Sequence, residues 1–127
     1  MKSLNANVVL RSLLGDIPEQ SRKADEVITG SQCYISDVIF TEVVFALEKL
    51  MEVSRSDIFK IMTKFLAFPN VRSNEKVLNG ALELYAQSRK LSFADCYAAV
   101  EAENSGAVLL TFDKDLIKFG GEYVLEP

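Results

Sequence analysis

The chain has 127 residues, 49% of them apolar and 25% charged, which suits one folded domain and excludes a disordered chain. Eighteen acids against fourteen bases leave a net charge of −4, which excludes nucleic-acid binding by bulk positive charge while leaving room for a local basic patch. There is no His, so Ser-His-Asp and Cys-His catalysis and imidazole zinc sites are excluded, and two cysteines, Cys33 and Cys96, are too few for an all-thiolate zinc site. Both are expected as small core residues of a cytoplasmic protein.

No targeting segment is expected, because Met1-Lys2-Ser3-Leu4-Asn5 does not open a long apolar region behind a basic one. Residues 2–4 read as a short strand, and the spacing of Val8, Leu10 and Leu14 then suits a helical turn that breaks at Gly15. Asp16 is the expected N-cap of a helix over residues 17–27, with Pro18 inside its first turn and Gly30 ending it. Cys33-Tyr34-Ile35 is a second β-favouring run. Ser36 caps a long helix whose apolar positions Val38/Ile39, Val43, Ala46/Leu47 and Leu50/Met51 keep a helical period. Ser54 or Ser56 caps the next helix, with Ile58, Ile61/Met62, Phe65 and Leu66 as its buried face, and Pro69-Asn70 stops it.

Val71-Arg72 reads as a brief strand, and a helix starting at Ser73 or Asn74 carries Val77/Leu78, Ala81 and Leu84/Tyr85. Ser92-Phe93-Ala94-Asp95 has the form of a capping box that opens a helix reaching about Asn104, with Gly106 ending it. Residues 107–110 contain no polar side chain, so this strand is expected to be covered on both faces. A short helix over residues 113–118 and a strand at Tyr123-Val124-Leu125 follow. Strands alternating with helices predict an α/β three-layer sandwich: a central parallel sheet of four or five strands with helices on both faces, in one domain over residues 1–127.

Open parallel sheets bind ligands beyond the C-terminal ends of their strands. The polar residues there are Asn5 and Asn7 after the first strand, and Ser36, Asp37 and Glu42 after the second. Asp95 lies on the helix leading into the fourth strand, and Thr111, Asp113 and Asp115 follow that strand. Each acid alone has a plain reading, Glu42 as a solvated helix edge and the aspartates as helix caps. Three or four carboxylates converging on one edge would repel one another, and a divalent cation would remove that cost. Oxygen donors without imidazole point to Mg²⁺ or Mn²⁺. Such a site serves phosphodiester displacement, by activating a water and neutralising the phosphate. Two other α/β readings fail on residues: Asn5-Ala6-Asn7-Val8 has no glycine to cradle a nucleotide, and the paired acids of a phospho-receiver domain are missing.

Four runs in order carry a likeness: residues 4–11 (Leu-Asn-Ala-Asn-Val-Val-Leu-Arg), Ile35-Ser36 with Thr41-Glu42-Val43, residues 93–99 around Asp95, and residues 110–116 around Thr111, Asp113 and Asp115. Together they resemble the PIN-domain family, and within it the VapC-type toxins of toxin–antitoxin pairs. The resemblance implies a metal-dependent endoribonuclease with an acidic pocket for Mg²⁺ or Mn²⁺. By position, Glu42, Asp95 and Asp113 would be metal-binding acids and Asp115 an auxiliary one. Thr111 would orient a water, and Asn7 would be a supporting hydrogen bonder. The family has Asp where this chain has Asn5. An amide oxygen is a weaker ligand than a carboxylate, so the resemblance implies an attenuated or inactive enzyme, whether a natural degenerate member or a deliberately silenced one. The alternative is a PIN-like module that binds RNA or a protein without metal.

An acidic chain would have to meet RNA through local bases. Arg11 is the favoured contact, with Lys60/Lys64, Arg89-Lys90 and Lys114/Lys118 as further candidates. Phe40, Phe45, Phe59, Phe65 and Phe68 are generous for this length; most are expected in the core, the rest at a dimer face or partner groove. The resemblance also implies a homodimer and a cognate antitoxin that places a basic side chain among the acids.

Overall fold

The computed structural model describes all of residues 1–127. Five two-residue strands and seven α-helices follow one another along the chain, and every strand pairing is parallel. The chain divides into two compact units, Met1–Glu75 and Lys76–Pro127.

The first unit is built on a three-stranded sheet of β1 (Lys2–Ser3), β2 (Cys33–Tyr34) and β3 (Val71–Arg72), in that order. Lys2 lies opposite Cys33, and Cys33 opposite Val71. The Leu4 N–H donates to the Tyr34 carbonyl at 2.9 Å and the Ile35 N–H to the Arg72 carbonyl at 3.0 Å, so the ladder runs past the strand ends. Four α-helices accompany the sheet: α1 (Ala6–Leu14), α2 (Pro18–Gly30), α3 (Asp37–Phe45) and α4 (Arg55–Leu66). Helix α1 packs against α2 and α3. Its end is set by Gly15, whose φ of 61° lets its N–H turn back to the Arg11 carbonyl. The buried side chains of this unit include Val9, Ile35, Phe40, Val43, Leu47, Ile58 and Met62. Each such side chain withdrawn from water contributes roughly 1.5–3 kcal/mol.

The second unit holds α5 (Glu75–Gln87) from Lys76 on, α6 (Phe93–Asn104), β4 (Leu109–Leu110), α7 (Lys114–Phe119) and β5 (Val124–Leu125). Strands β4 and β5 form their own parallel pair, Leu109 opposite Val124. The rings of Tyr85 and Phe93 meet edge to face with centroids 5.7 Å apart. Gly80 lets α5 approach α6 closely: a Cβ there would stand 2.9 Å from a Val100 methyl.

Most elements fall where the sequence places them, and both cysteines are fully buried as expected. Several details differ. The five strands form one sheet of three and one of two, not a single central sheet of four or five. Asp16 does not cap α2. It is drawn to the Arg11 guanidinium at 3.1 Å, and Ile17 takes the N-cap position without a side-chain bond. Helix α2 runs through Gly30 instead of ending before it. The long helix after Ser36 changes pitch at Phe45 into a π-helical turn, Ala46–Leu50. Glu52 then takes a left-handed conformation (φ 55°), and the Val53 N–H closes back on the Leu47 carbonyl. This turn keeps Leu47 fully buried while leaving Leu50 69% exposed.

Nor is the apolar stretch at residues 107–110 covered on both faces. Strand β4 has only β5 beside it, so alternation buries Val124 and half-buries Leu109 while Val108, Leu110 and Leu125 face outward. Among the phenylalanines, Phe40 and Phe65 are core, Phe59 is half-buried, and Phe45 and Phe68 are exposed.

The contrast within the π-helical turn is testable. Leu47→Ala should cost about 2–5 kcal/mol of unfolding free energy in a urea titration, whereas Leu50→Ala should stay within about 0.5 kcal/mol of the parent. Equal losses would mean that the turn does not sort these two leucines between core and water.

Candidate functional site

In the first unit the candidates gather around the ends of β1 and β2. Asn5 follows β1 directly and is the N-cap of α1, its Oδ1 accepting the Ala6 N–H at 2.9 Å. Ser36 occupies the matching place after β2, its Oγ accepting the Ile39 N–H at 3.2 Å. Asp37, which opens α3, accepts from the Asn74 amide at 3.0 Å and is tied into the local structure. Glu42 lies further along α3. It is exposed, and its carboxylate makes no hydrogen bond or ion pair. Its place as a solvated helix edge is thus met, and nothing in the fold uses its charge.

In the second unit the candidates divide by employment. Ser92, not Asp95, caps α6, accepting the Asp95 N–H at 3.1 Å. The return bond from the Asp95 side chain that would complete a capping box is not made. The half-buried Asp95 carboxylate therefore has no structural task. Asp113 does have one: its Oδ1 accepts the Leu116 N–H at 2.9 Å and caps α7. Thr111 and Asp113 are brought together, the Asp113 N–H donating to Thr111 Oγ1 at 3.0 Å. Asp115 stands exposed in the first turn of α7 without a partner.

A divalent ion such as Mg²⁺ takes several hard oxygens converging on one point. These side chains are donors of that kind. Within each unit taken by itself, no group of three or more Asp, Glu, His or Cys side chains comes together that could hold an ion. Glu42 belongs to the first unit, and Asp95, Asp113 and Asp115 to the second. No helix is long and apolar enough to cross a membrane.

One feature of this region has no signal in the sequence. Asn7 and Arg11, one turn apart on α1, and Gln20 and Lys23 on α2 line a groove of about 320 Å³, together with apolar Val8 and Ala24. Only the packing of α1 on α2 brings these four polar residues together.

The double use of Asp113 can be separated by substitution. Asp113→Ala should lower stability by about 1 kcal/mol through loss of the α7 cap, while Asp113→Asn, with an oxygen still at that position, should cost a small fraction of this. Urea denaturation of both variants reads the difference. Equal losses would show that the charge, not the cap, matters for folding.

The PIN domain family model matches residues 4–122, a span that holds every candidate named above. No curated protein matches the chain. The matched span holds all seven α-helices and strands β2, β3 and β4, with β1 and β5 just outside it. The chain belongs to the PIN-domain family, a nuclease-type family whose members are generally divalent-metal-dependent RNA or DNA nucleases.

Proposed function

We propose that this chain is the toxin of a type II toxin–antitoxin pair, of the VapC kind: an endoribonuclease that hydrolyses RNA phosphodiesters with Mg²⁺ or Mn²⁺, attenuated or silenced by Asn5. The observation that carries the reading is a set of carboxylates with no structural employment, Glu42, Asp95 and Asp115, inside the span of a nuclease-family match. Asp95 sits half-buried on α6, and no ion pair or helix cap uses its charge.

In this reading Glu42, Asp95 and Asp113 are the metal-binding acids and Asp115 assists them. Thr111 orients water, and Asn7 supports the residue at position 5. Their gathering on one ion is part of the proposal. Asn5 lacks the charge that an acid would bring. The partners are an RNA substrate, a cognate antitoxin that sets a basic side chain against the acids, and a second copy in a homodimer. The compartment is the cytoplasm.

A second reading, a PIN-like module that binds RNA or protein without metal, draws on the neutral Asn5.

Reversion at position 5 decides between them. An Asp at the N-cap would accept the same N–H and sit well with the helix dipole, so Asn5→Asp should fold as the parent does. The revertant should cleave single-stranded RNA with Mn²⁺ or Mg²⁺, lose that activity in chelator, and bind Mn²⁺ by calorimetry at least about 10-fold more tightly than the parent. A folded revertant that neither binds Mn²⁺ nor cuts RNA would leave the non-catalytic module.

A further inference from the structure

We propose that the α1–α2 groove is a subsite for a backbone phosphate of single-stranded RNA, one neighbouring the phosphate that is cleaved. The assignment of RNA rests on the reading above; the groove as an anion site rests on its own chemistry.

The chain carries more acids than bases, yet two bases, Arg11 and Lys23, and two amides, Asn7 and Gln20, line the groove, and no acid does. Its volume of about 320 Å³ lies at the small end of the ~300–1,000 Å³ range of ligand clefts. Arg11 is incompletely satisfied. Its Nε is buried 3.1 Å from Asp16 Oδ1, but the N–H is not aligned for a hydrogen bond, and its two terminal nitrogens have no partner in the chain. A guanidinium in this state has its forked donors available, and a phosphate oxygen pair matches that fork.

Two carboxylates just outside the groove hold the bases in reserve. Asp16 faces Arg11, and Glu19 lies 3.4 Å from Lys23 Nζ. A phosphate entering the groove competes with them. The groove walls are tied by Ser12 Oγ donating to Asp25 Oδ1 at 2.6 Å, so the bases stand on a fixed frame.

Position along α1 identifies which phosphate is received. At ~1.5 Å of rise per residue, Arg11 lies about 9 Å along the helix axis from Asn5. That spacing suits a phosphate next along the same strand from one beside position 5. Amides and cations on the backbone, with no aromatic ring to stack a base, predict binding without sequence preference.

The test is fluorescence anisotropy of the 127-residue chain, with Asn5 in place, and a labelled, unstructured ten-nucleotide RNA in chelator, over a range of salt. Arg11→Gln should weaken binding by about tenfold and flatten the log–log salt slope by about 0.7. Lys23→Gln, an exposed change that spares the core, should do the same in smaller measure. Asp16→Asn, which releases Arg11, should tighten binding. Unchanged affinity and slope in Lys23→Gln and Asp16→Asn would overturn the proposal even if Arg11→Gln failed to fold. An oligoglutamate of equal charge that displaces the RNA at equal concentration would also overturn it, in favour of an acidic protein partner. The two readings fail separately. A revertant at Asn5 that cuts RNA while the groove variants bind normally removes the subsite alone. Groove variants that lose RNA in a chain whose revertant never cuts remove the nuclease alone.

Discussion

The parallel register of the three-stranded sheet is the constraint from which the first unit follows. Ser3 lies opposite Tyr34, and two residues further on each strand has reached an N-cap, Asn5 in one case and Ser36 in the other. Helices α1 and α3 therefore begin level with one another at the same edge of the sheet. Each brings the partial positive charge of its first turn to that edge. With strands of only two residues, the ladder has few bonds of its own, and the extra ones beyond the strand ends, from Leu4 and Ile35, are what hold the two caps in step. Position 5 thus lies in a field that favours an anion, and a neutral amide there forgoes an attraction the backbone already supplies.

The acids of this chain sort by whether the fold needs them. Asp16 pairs with the Arg11 guanidinium, Asp25 takes a hydrogen bond that ties α1 to α2, and Asp113 caps α7. Glu42, Asp95 and Asp115 take none. Residue type and spacing do not make this distinction, because every one of these side chains has a plausible local role when read in sequence. It becomes visible only when the caps are assigned, as at α6, where Ser92 serves the helix and leaves the Asp95 carboxylate idle.

Much of the architecture was legible beforehand because its signals are local. Ser36, Ser54 and Ser92 cap where their hydroxyls can reach the third residue on, and the short β-favouring runs became strands. What was not legible is tertiary. Asp16 has the chemistry of a cap, but an arginine five residues earlier competes for it, and the pairing depends on how α1 ends at Gly15. The π-helical turn leaves no mark on the apolar period. The groove draws its lining from two helices, and nothing in the spacing of Arg11 and Lys23 announces that they meet. The division of the strands into three and two is also a matter of which edges pair, about which an all-apolar run such as residues 107–110 is silent.

The bare outer side of β4 has a cost beyond the folded state. From Ala107 to Phe112 there is no charge and no proline, in a stretch rich in β-favouring side chains, and Leu110 and Phe112 are 59% and 77% exposed. Six such residues are the raw material of self-templated stacking between chains. Asp113-Lys114-Asp115 follow immediately, and three consecutive charges act as gatekeepers that keep neighbouring molecules from zipping along the segment. Asp113 therefore contributes to colloidal behaviour as well as to capping, because it opens the charged triplet that directly follows the most adhesive stretch of the chain.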